Sequence, residues 1–203
     1  MPRAAALGAA LLLVAGCGGG KHAATRTHVA VQLHGLVPQP LPRTPSFSLT
    51  DTSGRPFAFA AHGRGKLVYL YFGYTHCPDA CPTTMSDLAA ALHREPPAVR
   101  NRVEVVFVTV DPRRDTGPVL RAWLDHFDSS FVGLGGSPRR IAAAELAAGV
   151  PLAPPEKVKG SHYSVAHSTL LLPYSPDGLA HVVYTQGFRT RDYVHDMPLL
   201  LKY

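Results

Sequence analysis

Cysteine is scarce in this chain, with three in 203 residues, and one of them, Cys17, falls in a segment with the marks of an export signal. Cys77 and Cys81 are then the whole thiol chemistry of the mature protein. Long apolar runs are missing as well. After Ala4 to Ala15, no stretch approaches the roughly 18 consecutive apolar residues that a membrane helix needs, so the remainder is expected to be soluble. Clustered charge is absent too. The net charge is +6, but no Lys/Arg run exceeds the pairs Arg113-Arg114 and Arg139-Arg140, and no aromatics interleave with them. That argues against nucleic-acid binding, while a diffuse positive surface favours acidic partners or anionic headgroups. There is no internal repeat. What is present is an ordinary globular composition, 46% hydrophobic and 17% charged, in a length suited to one domain with a core plus a tail.

The N-terminus sets the compartment. Arg3 precedes an Ala/Leu/Val segment that matches the core of a secretory signal in length and is too short to span a bilayer. Val14-Ala15-Gly16-Cys17 resembles a bacterial lipobox, in which small residues precede a cysteine that is diacylated and becomes the new N-terminus. The expected organisation is a signal peptide over 1–16, a lipidated flexible tether over 17–44 rich in Gly and Pro, and a folded domain over 45–203. The protein is accordingly expected to be exported and lipid-anchored to the outer face of the bacterial cytoplasmic membrane, with a plain cleaved signal or an uncleaved anchor as the alternatives. Outside the cytosol thiols oxidise unless something keeps them reduced or a metal occupies them.

The pattern along the domain predicts alternating strands and helices. Phe47 to Leu49 and Pro56 to Phe59 flank Asp51-Thr52-Ser53-Gly54 as a hairpin. Leu67 to Phe72 and Val103 to Val110 read as strands buried on both faces, and Phe131 to Leu134 as a short strand. Pro82 opens a helix carrying Met85, Leu88, Ala89 and Leu92, ended by Pro96-Pro97. Asp115 or Thr116 caps a second helix through Trp123 and Phe127, Pro138 opens a third to Ala148, and Tyr193 to Leu201 closes the chain as a fourth. Leu170 to Leu172 and His181 to Thr185 flank the turn Ser175-Pro176-Asp177-Gly178. The fold class is α/β, a mixed central sheet with helices on both faces and an N-terminal hairpin.

Chemistry concentrates at Cys77-Pro78-Asp79-Ala80-Cys81-Pro82, where a strand feeds a helix. A helix N-terminus stabilises thiolates and lowers their pKa. Three intervening residues make a wider loop than a two-residue spacing, which suits a metal held between two sulfurs without excluding a disulfide. Two thiolates form a soft site that selects Cu(I), commonly completed by an imidazole. Among the eleven histidines, His167 stands out just before the strand at Leu170, with His162, His76, His22, His28 and His34 as competitors. Asp111 and Asp115 read as a strand-end turn and a helix cap, with shaping of the field near the site as the alternative, and Met85, Met197 and Trp123 as core packing.

Tyr71 to Thr84, followed by Phe107-Val108-Thr109-Val110-Asp111-Pro112-Arg113-Arg114-Asp115-Thr116, resembles the Sco/SenC family of copper-binding, thioredoxin-like proteins, and the likeness runs from about Pro45 to the C-terminus. The resemblance implies a thioredoxin-like fold, copper bound as Cu(I) and also Cu(II) by Cys77, Cys81 and His167, and delivery to the CuA site of cytochrome c oxidase subunit II. It implies equally a second reading, a thiol:disulfide oxidoreductase in which Cys77 and Cys81 are the catalytic pair. A peroxidase role is a distant third. The sequence departs from the family at Ala166, where an aspartate usually precedes the histidine. That removes a carboxylate able to orient the imidazole.

Overall fold

The computed structural model describes residues 32–154 and 163–203. The signal segment, Cys17, His22, His28 and His162 lie outside the described residues. Six strands form one sheet in the order β2-β1-β5-β4-β3-β6. The hairpin of β1 (Ser48–Asp51) and β2 (Pro56–Ala58) stands at one edge, joined antiparallel to β5 (Val132–Gly135). At the centre β3 (Leu67–Gly73) runs parallel to β4 (Val103–Thr109), which runs parallel to β5, while β6 (Leu171–Tyr174) pairs antiparallel with β3.

All seven residues of β3 are buried, as a run with no polar alternation requires. Its side chains alternate between two cores. Leu67, Tyr69 and Tyr71 pack with Met85, Leu88 and Leu92 of α2 (Ala80–Arg94), Leu120 and Leu124 of α4 (Gly117–Asp125), and Tyr193 and Met197 of α6 (Thr190–Leu200). Val68, Leu70 and Phe72 pack on the other face with Phe59 of α1 (Phe59–His62) and Ile141, Ala144 and Ala148 of α5 (Pro138–Ala148). The sheet is thus covered on both faces, as expected. A one-turn α3 (Pro97–Arg100) follows the Pro96-Pro97 stop. Met85, Met197 and Trp123 lie in or against the first core.

Three expectations are corrected. Residues 32–44, read as flexible tether, lie along the domain: Leu36 bridges Val183, Arg43 bridges Leu179, and the His34 and Gly35 amides donate to the Asp196 carboxylate. Backbone groups in this stretch find sheet-edge and carboxylate partners that composition does not reveal. His181 to Thr185 forms no regular strand, because its backbone bonds are divided between Leu171 and Leu36. Asp115 is not a helix cap. Thr116 holds that position without a side-chain bond, and Asp115 turns inward.

The parallel arrangement decides where the site lies. The C-terminal ends of β3 and β4 sit side by side, and antiparallel β6 begins at the same end, with Leu171 opposite Tyr71. Three connections therefore meet there: residues 74–79 leading into α2, residues 110–116 leading into α4, and residues 163–170 leading into β6. Carboxyl-end crevices of this kind are where open α/β sheets hold ligands.

Candidate metal centre

The cysteine limb is built by the start of α2. Asp79 occupies the N-cap position without a side-chain bond, and the Cys81 amide instead donates to the Cys77 sulfur at 3.5 Å. A sulfur thus takes one of the amides that a helix start leaves unpaired. The helix begins at Ala80, two residues before the expected Pro82, which the first turn accommodates because its missing N–H has no intrahelical partner there. Cys81 is fully buried under β3, and Gly73 makes the room: a Cβ at that position would lie 2.6 Å from the Cys81 sulfur and 2.9 Å from Phe107. Cys77 is half-buried and both thiols are free.

The histidine limb comes from the irregular segment before β6. His167 Nδ1 lies 3.0 Å from the Phe72 carbonyl and 2.8 Å from that of Ser168. Carbonyls only accept, so Nδ1 carries the proton and Nε2 faces the sulfurs. Nε2 stands 3.5 Å from the Cys81 sulfur, and it and both sulfurs lie within 4.8 Å of one another. Tyr74 and Tyr71 meet the ring edge-on, with centroids 5.4 and 6.2 Å away. The Phe72 and Ser168 carbonyls orient the ring, and Ala166 beside it is exposed.

The protons are divided unequally. The Cys77 thiol falls well below the ordinary range because Cys81 donates to it, against the cost of burial and with further help from His167 and backbone amides. Cys81 is pushed up by that same donation and by its burial. For His167 burial opposes the cation, but hydrogen bonding to Cys77 and to the Ser168 and Phe72 carbonyls outweighs it and raises the pKa. One half-exposed thiolate beside one buried thiol is the result.

A single turn grips both limbs. Asp115 accepts from the Thr75 amide at 3.0 Å and from the hydroxyls of Thr75 and Thr109 at 2.6 Å each, fixing the chain two residues before Cys77. Asp111 accepts from the Tyr163 hydroxyl at 2.7 Å and pairs with Arg114. The Arg114 guanidinium donates to the Tyr163 carbonyl at 3.0 Å and stacks 3.6 Å from its ring centroid, anchoring the chain four residues before His167. Arg114 and Tyr163 carry no ligand atoms, and no spacing rule pointed to them.

Of the competing histidines, His76 is exposed and turns toward Thr75 and Asp115, and His34 lies against α6. Two sulfurs and one imidazole fit a soft ion in trigonal coordination: metal–sulfur bonds of about 2.3 Å and metal–nitrogen bonds of about 2.0 Å place the donors about 3.7–4.0 Å apart. The 3.5 Å separation of Nε2 and the Cys81 sulfur is close to that.

The sequence pattern of the SCO1/SenC family matches residues 38–201. The mitochondrial SCO2 homolog of Bos taurus is 36% identical over 142 residues, 70% of this chain and 53% of that protein. The mitochondrial SCO1 homolog of Mus musculus is 32% identical over 148 residues, 72% of this chain and 51% of that protein. The chain spans about half the length of these relatives. Apo Sco1 from Thermus thermophilus superposes with a TM-score of 0.74 at 31% identity, covering 85% of this chain and 99% of that one. Copper-bound ScoI of Bradyrhizobium japonicum gives 0.69 at 29% identity, covering 78% and 99%.

Proposed function

This chain belongs to the SCO1/SenC family, and from that membership and the convergence of its limbs we propose that it is a copper metallochaperone with Cys77, Cys81 and His167 as ligands. The observation that carries the reading is the His167 Nε2 atom standing 3.5 Å from the Cys81 sulfur with the Cys77 sulfur close by. Copper is cargo in this scheme. Two thiolates favour Cu(I), and the imidazole extends the set toward Cu(II). Relatives solved with copper bound support the choice of ion. Loading displaces the proton shared by the cysteines, and delivery proceeds by exchanging thiolates between carrier and client with no net electron transfer. The CuA site of cytochrome c oxidase subunit II is the client that the family resemblance supplies. We place the chain outside the cytoplasmic membrane, processed after residue 16 and lipidated at Cys17. Among the described residues no helix is long and apolar enough to cross a membrane.

Titration of the reduced chain with Cu(I) and Cu(II), beside Cys81→Ala and His167→Ala, tests the assignment. Each variant should hold copper more weakly than the parent, and an unchanged affinity in either would overturn it. Retention of the protein in the soluble fraction on Cys17→Ser, with the parent in the membrane fraction, is the outcome expected of a lipid anchor.

The unequal thiols favour one further reading, thiol:disulfide exchange. The half-exposed Cys77 thiolate would attack a client disulfide and release one client thiolate. Cys81 would then attack the mixed disulfide, giving a Cys77–Cys81 disulfide and a client reduced by two electrons. Under this reading His167→Ala leaves exchange largely intact while either cysteine substitution abolishes it.

A further inference from the structure

A second cluster of side chains of ligating type, His34, His195 and Asp196, gathers where the segment before β1 crosses α6, with nitrogen in place of sulfur. Asp192 and Asp196 stand one turn apart on this helix, and the segment holding His34 and Gly35 crosses them. Asp196 is fully buried and accepts from the His34 amide at 2.9 Å, the Gly35 amide at 3.0 Å and the Tyr184 hydroxyl at 2.8 Å. Above that anchor His34 Nδ1 lies 2.9 Å from an Asp192 oxygen, and His195 Nδ1 lies 2.7 Å from an Asp196 oxygen. The two rings stack, with centroids 3.9 Å apart and planes 9° from parallel.

The hydrogen bonds fix what the rings offer. An ionised carboxylate only accepts, so each Nδ1 holds a proton and each neutral ring keeps its lone pair on Nε2. A ligating histidine is commonly held this way, its other nitrogen donating to a carboxylate that sets tautomer and orientation. Both Nδ1 atoms turn to α6, so both Nε2 atoms turn away from it, and the side chains are 42% and 40% exposed. One nitrogen of each ring and an Asp196 oxygen lie within 4.8 Å of one another.

We propose that His34 and His195 form a two-imidazole site for a divalent transition-metal ion of the borderline class, filled through their Nε2 atoms and separate from the sulfur centre. Imidazole suits Cu(II), Ni(II) and Zn(II), with Cu(II) bound most tightly among them. Metal–nitrogen bonds of about 2.0–2.1 Å at adjacent positions bring two nitrogens to about 2.9–3.4 Å. In the stack the two Nε2 lone pairs run along nearly parallel lines, so a shared ion requires the outer ends of the rings to swing out of the stack until both planes meet at it, a movement that side chains so exposed accommodate. Asp192 and Asp196 orient the rings, and water completes the coordination. The bound ion ties the chain entering the domain to α6, so it stabilises the docked segment by mass action. The inference does not depend on the sulfur centre being a copper site.

The test uses the full chain with Cys17, Cys77 and Cys81 all replaced by serine, so that no thiol competes for the ion or reduces it. Cu2+ and Zn2+ are titrated into this parent and into the same chain carrying His195→Gln, His34→Gln or Asp192→Asn. The expected result is a Cu2+ affinity at least ten times weaker in either histidine variant, with one imidazole nitrogen lost from the electron paramagnetic resonance spectrum. Asp192→Asn should weaken binding by about tenfold through the orienting bond. Added Zn2+ should raise the melting temperature of the parent and not of His195→Gln. His195 stands on the exposed side of α6, so His195→Gln decides the matter should His34→Gln disturb docking. If the parent binds neither ion, or if His195→Gln leaves affinity and spectrum unchanged, the pair is a docking contact and the proposal fails.

Discussion

The two limbs of the sulfur–imidazole centre reach the same point by opposite routes. Cys77 and Cys81 are four positions apart, set by a buried strand, a helix start and the gap left by Gly73. Their geometry is set mainly by neighbours in the chain, with Asp115 holding Thr75 as the one longer-range support named above. His167 lies 86 residues from Cys81 in a segment without regular structure. Its position depends on the Phe72 carbonyl and on Tyr163 being held by Asp111 and Arg114. The sulfur pair is therefore preorganised, and the imidazole is placed by tertiary contacts that a small change can release. The proposed carrier role would draw on that difference: cargo held by two fixed sulfurs and one releasable nitrogen could open a coordination position for a client without unfolding its own site.

Breaking the rigid limb should have the largest effect. Cys81→Ala removes a proposed ligand and the thiol that donates to Cys77, so Cu(I) affinity measured against a chromophoric Cu(I) chelator should fall by more than the roughly 10- to 100-fold typical of losing an orienting partner. His167→Ala should cost less for Cu(I) than Cys81→Ala, because the soft pair survives, and proportionately more for Cu(II), which favours nitrogen. Equal losses of both ions in both variants would erase the distinction between the limbs.

Arg114→Ala tests whether the histidine limb is held from outside the site. The substitution removes the bond to the Tyr163 carbonyl and the stack on its ring while leaving every ligand in place. Copper affinity should drop by about tenfold, mostly through faster release, with the alkylation rate of Cys77 changing much less, because Cys81 is the larger donor to that sulfur. Arg114→Lys should not restore it, since an ammonium supplies neither the planar stack nor the fork that joins Asp111 to Tyr163. A loss of thermal stability without a change in release rate would reduce Arg114 to a structural residue.

The same division governs what the sequence makes legible. Continuous apolar runs identified β3 and β4, and proline at helix starts marked α2 and α5, because those signals come from neighbours in the chain. The cysteine pair is visible for the same reason. His167 needed the family resemblance, since its proximity to Cys81 follows from β6 pairing antiparallel with β3. Long-range docking was harder still. Residues 32–44 have the composition of a tether, yet the buried carboxylate of Asp196 and the edge formed by Leu179 and Val183 supply partners for their backbone. His34 appeared only as a competitor for the sulfurs, and its stack on His195, 161 positions away, has no trace in local pattern. Asp115 looks like a cap because it precedes a helix, while its carboxylate is spent on Thr75 and Thr109.

The smallest effect belongs to Ala166→Asp, which restores the carboxylate usual in the family and asks whether the histidine limb is tuned from that position. Position 166 is exposed and the proton on His167 Nδ1 already goes to the Phe72 and Ser168 carbonyls. A new carboxylate must either displace those partners or act through the field alone. Acting through solvent, one exposed charge is worth about 0.2–1 kcal/mol, so Cu(II) affinity should rise by less than about fivefold at low salt and lose most of that gain at high salt. Cu(I), held mainly by the sulfurs, should change less. A salt-independent gain of tenfold or more would mean that the aspartate has taken Nδ1 from the carbonyls and fixed the ring, and the histidine limb would then be as well preorganised as the cysteines.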